Sequence, residues 1–500
     1  MGVRPILIHT CVPSTPIAAA GIARVASALL VLAIAASPAW SGLEAAAAPA
    51  RVVELREART AGVVSATLSN GVLVHWRRID SAQACLVVTL GGAESLEDAS
   101  NRGVSAVLAR VLGGDRGGGL AGGINDDALR IEVASGPDAL RFRVLGSPEA
   151  VEDAAAILAG LLGRPTLSDE GIIAARDTVV REIEARQRSA RGKIRGAMDG
   201  LLCGASGGGD PRLSPLTPEQ VARVTPAMVR AWLERHAGTD AGASGSPVEA
   251  AVVGDLPLER AVSIARAALG GLGPRGNPGA GPETLEAMGG KAWPTRIPGP
   301  LVGRLEACAG AGEPGQTIVL LGYFGPDSSQ IARTRALRAG ARMLELSARR
   351  RLAAAGIPAP ENRVGAGVTF SPRGGAGVGG GGESMLVLTA DVPAGHAGEA
   401  ARILRQTLAA GAAEAFDAAE LSREAVQLGA TVESYARDPG YWAGLLSRAA
   451  AMGLDIDEVV EGAAFYRTLT PEAVREALRQ VVRDDGRIEL IVEGGEAANQ

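Results

Sequence analysis

The chain has 500 residues, room for two to four domains at roughly 100–200 residues each, with cores that need no disulfide or metal staple. Its 50 Lys plus Arg against 55 Asp plus Glu leave a formal charge of −5, so composition offers no concentrated basic face for nucleic acid. The four histidines (His9, His75, His236, His396) are too scattered for a local pair of metal ligands, and Cys11, Cys85, Cys203 and Cys308 include no C-x-x-C pair.

Residues 1–45 read as a signal peptide and pro-region. Arg24 precedes an apolar run from Val25 to Ala36, and small residues follow around Ser37-Pro38-Ala39. The run is too short to span a bilayer, and cleavage between Ala39 and Ala48 predicts a periplasmic or secreted protein. An uncleaved signal anchor or a misassigned start is the alternative. Three cysteines then stay in the mature chain, enough for one internal disulfide at most. No later apolar stretch approaches ~18 residues, so no membrane span is expected in the mature chain.

Strands are predicted at Val72–Trp76, Ala84–Leu90, Leu129–Ala134 and Leu140–Leu145. In the last two, Ile131, Val133, Leu140, Phe142 and Val144 alternate with charged residues. Helices are predicted from Ser147 to about Leu162 and from Ser168 to about Arg191, with a capping box at Thr217-Pro-Glu-Gln220. His236 ends a further helix, where a cation suits the macrodipole. A Thr-capped, Pro-started helix feeding a Gly-terminated strand occurs twice, at Thr225 to Gly254 and at Thr470 to Gly494, which argues for duplication of a roughly 200-residue unit. A Gly/Pro-rich linker at 276–300 separates units at 62–275 and 301–500. The expected class is α+β, each unit an antiparallel-rich sheet with helices on one face.

Leu68-Ser-Asn-Gly-Val-Leu-Val74, Gly91-Gly-Ala-Glu94, Gly103 to Leu112, Gly122-Gly-Ile-Asn125, Val179-Val-Arg-Glu-Ile183, Asp210 to Pro215 and Val252-Val-Gly-Asp255 follow one another in a particular order. In that order the chain resembles the insulinase-like, pitrilysin-type metallopeptidases over about residues 62–500. The resemblance implies two units facing each other as a clam shell with peptide bound between them. It also implies an H-x-x-E-H helix and a distal Glu holding zinc, with the motif Glu as general base.

Aligned on that helix the chain reads Ala106-Val-Leu-Ala-Arg110, so Ala106 and Arg110 stand at the His positions and Ala109 at the general-base position. Only the distal position, Glu182, keeps its carboxylate. Glu182 is either a helix-surface group paired with Arg186 or the partner of Arg110, buried where zinc sat. The family's Arg/Tyr carbonyl clamp corresponds to Arg349–Arg351, with no Tyr in reach. No catalytic residue and no cofactor are therefore expected, zinc belonging to the active relatives. Asn125, Arg350 and Arg351 are left as candidate binding residues.

Gly204-Ala-Ser206-Gly-Gly208 matches a nucleophile elbow in letters, without the strand that must precede it. The Gly374–Gly382 run lacks the Lys-Ser/Thr of a phosphate loop. The functional expectation is an exported, inactive peptidase homologue that binds peptides or serves as a scaffold beside an active homologue. The alternative is an active zinc endopeptidase with unrecognised ligands.

Overall fold

The computed structural model describes residues 50–58, 62–113, 125–126, 129–136, 138–163, 165–204, 215–237, 245–276, 301–309, 315–327, 329–359, 363–370 and 383–495. The signal region, the linker, Ser206 and the Gly374–Gly382 run lie outside them. Residues from Ala50 onward form one compact unit.

Its first half runs β1 (Val52–Glu57), β2 (Val63–Leu68), β3 (Leu73–Arg78), β4 (Ala84–Gly91), α1 (Val104–Gly113), β5 (Asn125–Asp126), β6 (Leu129–Ser135) and β7 (Ala139–Gly146). It continues with α2 (Pro148–Gly163), α3 (Asp169–Arg188), α4 (Ala190–Gly204), α5 (Pro218–Ala222), α6 (Pro226–Ala237), β8 (Val248–Gly254) and α7 (Leu258–Leu269). The second half runs β9 (Leu301–Ala309), β10 (Gln316–Asp327), α8 (Ile331–Ala354), β11 (Val364–Phe370), β12 (Glu383–Pro393), α9 (Ala397–Ala413), α10 (Ala418–Tyr435), α11 (Pro439–Leu446), α12 (Ile456–Val460), α13 (Gly462–Arg467), α14 (Pro471–Val481) and β13 (Arg487–Gly495).

The first sheet has the order β1-β2-β3-β8-β4-β7-β6-β5 and the second β11-β12-β10-β13-β9. Each is antiparallel except for one parallel pair, β3 with β8 and β13 with β9. Read from that pair outward, β3-β8-β4-β7-β6 and β9-β13-β10-β12-β11 are the same plan, as the repeated Thr-Pro helix and strand suggested. The protein is α+β, and helices cover one face of each sheet. Ile172, Ala175, Val179 and Ile183 recur at helical spacing on α3 and enter the first core with Val107, Leu108 and Val111 of α1.

The second face of each sheet is also covered, by a helix from the opposite half. Every residue of β4 and β8 is buried, as expected of strands enclosed on both sides. Cys85, Val87, Ala251 and Val253 pack on Trp442, Ala443 and Leu446 of α11. Reciprocally, Ile194, Met198 and Leu201 of α4 pack on Ile488, Leu490 and Val492 of β13. Arg77 adds a guanidinium 3.8 Å from the centre of the Trp442 ring.

The sequence pattern predicts one helix from Ser168 to about Arg191, and here the structure differs. Ser189 is extended (φ −73, ψ 146), ends α3 and caps α4, accepting the Gly192 N–H at 3.1 Å on its hydroxyl. That break is what turns α4 away from its own core and onto the other sheet.

Candidate functional site

The segment before α1 fixes the helix that carries Ala106, Ala109 and Arg110. Glu97 is buried and accepts the Gly103 N–H (2.9 Å), the Ser105 N–H (2.8 Å), the Ser105 hydroxyl (2.6 Å) and Arg102 Nη1 (3.0 Å). These donors include the orphan amides of the first helical turn, so the carboxylate acts as the cap. Burial pushes the Glu97 carboxyl up, against the opposing pull of Arg102 and the donated hydrogen bonds. Gly103 has φ +95, and a Cβ there would stand 2.9 Å from Val221 Cγ2, which explains the glycine at the helix entry.

On α1, Ala109 is buried in the first core while Ala106 packs against its margin. Arg110 Nη2 lies 3.2 Å from Glu182 Oε1 of α3. The sequence-predicted partners are therefore brought together, and Glu182 pairs with Arg110, not with Arg186. The pair is not buried: the side chains are 28% and 47% exposed. Of the two alternatives the sequence left open, the Arg110 partner is the one found, as a solvated pair and not a buried one.

This donor set does not fit zinc. Two methyl groups and a guanidinium stand at the three motif positions, and the guanidinium occupies the Glu182 oxygen that a metal would take. Among the described residues no three His, Cys, Asp or Glu side chains are grouped as a metal site.

The other candidates are dispersed. Asn125 opens β5 at the sheet edge and pairs with Arg130. Arg350, on α8, grips Glu420 of α10 with both guanidinium arms, at 2.9 and 3.0 Å, and Arg351 is exposed. Neighbouring Arg349 bonds Glu345 and the Val364 carbonyl. His236 does not serve a helix dipole as a cation: it is buried against Trp232, ring centroids 4.7 Å apart, and burial lowers its pKa to about 4. Cys85 is a free, buried thiol pushed up to about 11 by burial.

A second polar group escaped the sequence reading. On the face of the first sheet opposite α1, Ser65 Oγ lies 2.8 Å from His75 Nδ1, and His75 Nε2 lies 2.9 Å from Glu249 Oε1. Glu249 also accepts the Ala450 and Ala451 N–H groups at 2.8 and 3.1 Å. Spacing gave no signal for it, since Glu249 stands 174 residues from His75.

No protein-family model and no curated protein matches this sequence. Solved structures do. The inactive domain of peptidase M16 from Pseudomonas fluorescens superposes with a TM-score of 0.66 at 16% identity, over 88% of this chain and 100% of that one. The chain has the M16 peptidase fold. The same fold recurs in the periplasmic protease PqqL from Escherichia coli (TM-score 0.67, 15% identity, 90% of this chain). It recurs too in the ferredoxin protease FusC, solved as a mutant in complex with Arabidopsis ferredoxin (TM-score 0.68, 13% identity, 90% of this chain). This chain spans about half the length of the latter two, 47% of each. Among the described residues of this M16-like chain, no helix is long and apolar enough to cross a membrane.

Proposed function

We propose that this chain is an exported, catalytically silent homologue of the M16 peptidases that binds polypeptide, or scaffolds, beside an active homologue. One observation carries the reading: Arg110 sits on Glu182 where the resemblance puts the zinc. A guanidinium supplies the positive charge that the carboxylate needs, and it offers neither a metal ligand nor an acidified water. The M16 structures it resembles include an inactive domain and a periplasmic protease, which supports both the silence and the export. Polypeptide is the ligand class because FusC is seen with a protein bound. Asn125 on the edge strand and Arg350 and Arg351 on α8 are the residues assigned to contact with it.

Elemental analysis and a peptidase assay on the purified mature protein test the reading. The expected result is no stoichiometric zinc and no cleavage of unstructured peptides. One zinc per chain, lost to a chelator together with peptidase activity, would sink it. Co-expression with an H-x-x-E-H-bearing homologue from the same source tests the scaffold role, co-purification being the expected outcome.

A further inference from the structure

The Ser65–His75–Glu249 chain lies on the sheet face opposite α1, so neither the M16 comparison nor the Arg110–Glu182 pair bears on it. Strand register sets the alignment. Arg56 of β1 stands opposite Ser65 of β2, which stands opposite His75 of β3, which stands opposite Ala251 of β8. Directly paired residues share a face, and Glu249 joins them there because it lies two residues from Ala251. Four neighbouring strands therefore present a cation, a hydroxyl, an imidazole and a carboxylate in sequence.

One tautomer of His75 gives the relay its direction. Both oxygens of Glu249 accept backbone N–H groups from the second half, so the carboxylate meets His75 as an acceptor too. In the tautomer with the single imidazole proton on Nε2, Nδ1 is the acceptor for the Ser65 hydroxyl. His75 and Glu249 are almost completely buried, with side chains 3% and 1% exposed. Ser65 is only partly buried, and Arg56, whose exposed guanidinium is paired with Glu54 of the same strand, must leave that carboxylate to meet an oxyanion at Ser65, so the reacting end of the relay is at the solvent side while its support is dry.

We propose that Ser65 is a nucleophile for acyl transfer from small esters, with His75 as its general base, Glu249 as the positioning residue and Arg56 as the cation that receives the developing oxyanion. In the first step Ser65 Oγ forms a bond to the acyl carbon while its proton passes to His75 Nδ1. The ester C–O bond breaks and the departing alkoxide takes that proton from His75. Water then hydrolyses the seryl ester by the same path, releasing the carboxylic acid.

A fluorophosphonate probe tests this on the full mature protein, since attack forms a P–O bond, expels fluoride and leaves the adduct in place. Mass spectrometry should find one adduct per chain, on Ser65, unaffected by chelator and absent in Ser65→Ala. The rate should fall about 100-fold in His75→Gln and about 10-fold in Arg56→Ala, which being exposed leaves the fold intact. Glu249→Gln should lower the labelling rate at saturating probe without changing the half-saturating concentration, a split that mere loss of folded protein would not give. Absence of label on Ser65 in the folded protein overturns the proposal. So does labelling at an unchanged rate in both Arg56→Ala and a His75→Gln protein with native melting behaviour.

Discussion

Arg110 of α1 and Glu182 of α3 meet at 3.2 Å with 28% and 47% of their side chains exposed. Solvent screens such a pair, and holding two long side chains costs entropy that offsets the attraction. Replacing Arg110 by Ala should therefore destabilise by less than about 1 kcal/mol, and a double-mutant cycle with Glu182→Ala should give coupling in the same range. Denaturant midpoints at low and high salt would measure both, the coupling shrinking as salt rises.

The same geometry leaves room to rebuild a metal site. Ala106→His with Arg110→His places two imidazoles one helical turn apart beside the Glu182 carboxylate. The double variant should bind zinc by calorimetry and lose most of that affinity in Glu182→Ala. Adding Ala109→Glu should lower stability, because Ala109 is 5% exposed and packed in the first core.

Glu97 is expected to be the costliest residue to lose near α1. Glu97→Ala takes one of two carboxylates from the buried Arg102 guanidinium, which keeps Glu94, and leaves the amides of Gly103 and Ser105 without their acceptor, a loss of about 3 kcal/mol in urea unfolding. Glu97→Gln should keep part of the amide capping and fall between. A cost below about 1 kcal/mol would show that the helix entry is held by packing alone.

His236 predicts an acid sensitivity. Its folded pKa of about 4 lies below the 6.5 of a free imidazole, so between those values the unfolded chain binds a proton that the folded one does not. Stability from this residue is fully present above pH 6.5 and falls as pH drops towards 4, by about 3 kcal/mol in total. Unfolding of a His236→Gln variant followed from pH 7 to pH 4 should show a shallower decline than the unmodified protein.

Much of the first half could be read from sequence. Alternation at Ile131, Val133, Phe142 and Val144 located β6 and β7, and the threonine caps located α5 and α14. The Arg110–Glu182 contact was legible as one of two alternatives, through the resemblance that aligns both residues on the family's zinc site. Its exposure was not, since burial depends on which neighbours roof the pair. The break at Ser189 was hidden by continuing helical composition, and with it the crossing of α4. Ser65, His75 and Glu249 were invisible for a different reason: strand register joins them, and no local spacing encodes register.

The exchange of α4 and α11 between the sheets also constrains how the chain reaches its native state. Glu249 bonds Ala450, 201 residues away, and Thr89 bonds Ser447 across 358, so the far face of the first sheet stays uncovered until nearly all of the chain has been synthesised. Closing such loops costs entropy before any contact rewards it, which makes the final docking a slow, late event. Until then Val87, Ala251 and Val253 present an apolar sheet surface to other chains, so refolding yield should drop with protein concentration even though the finished molecule is well packed.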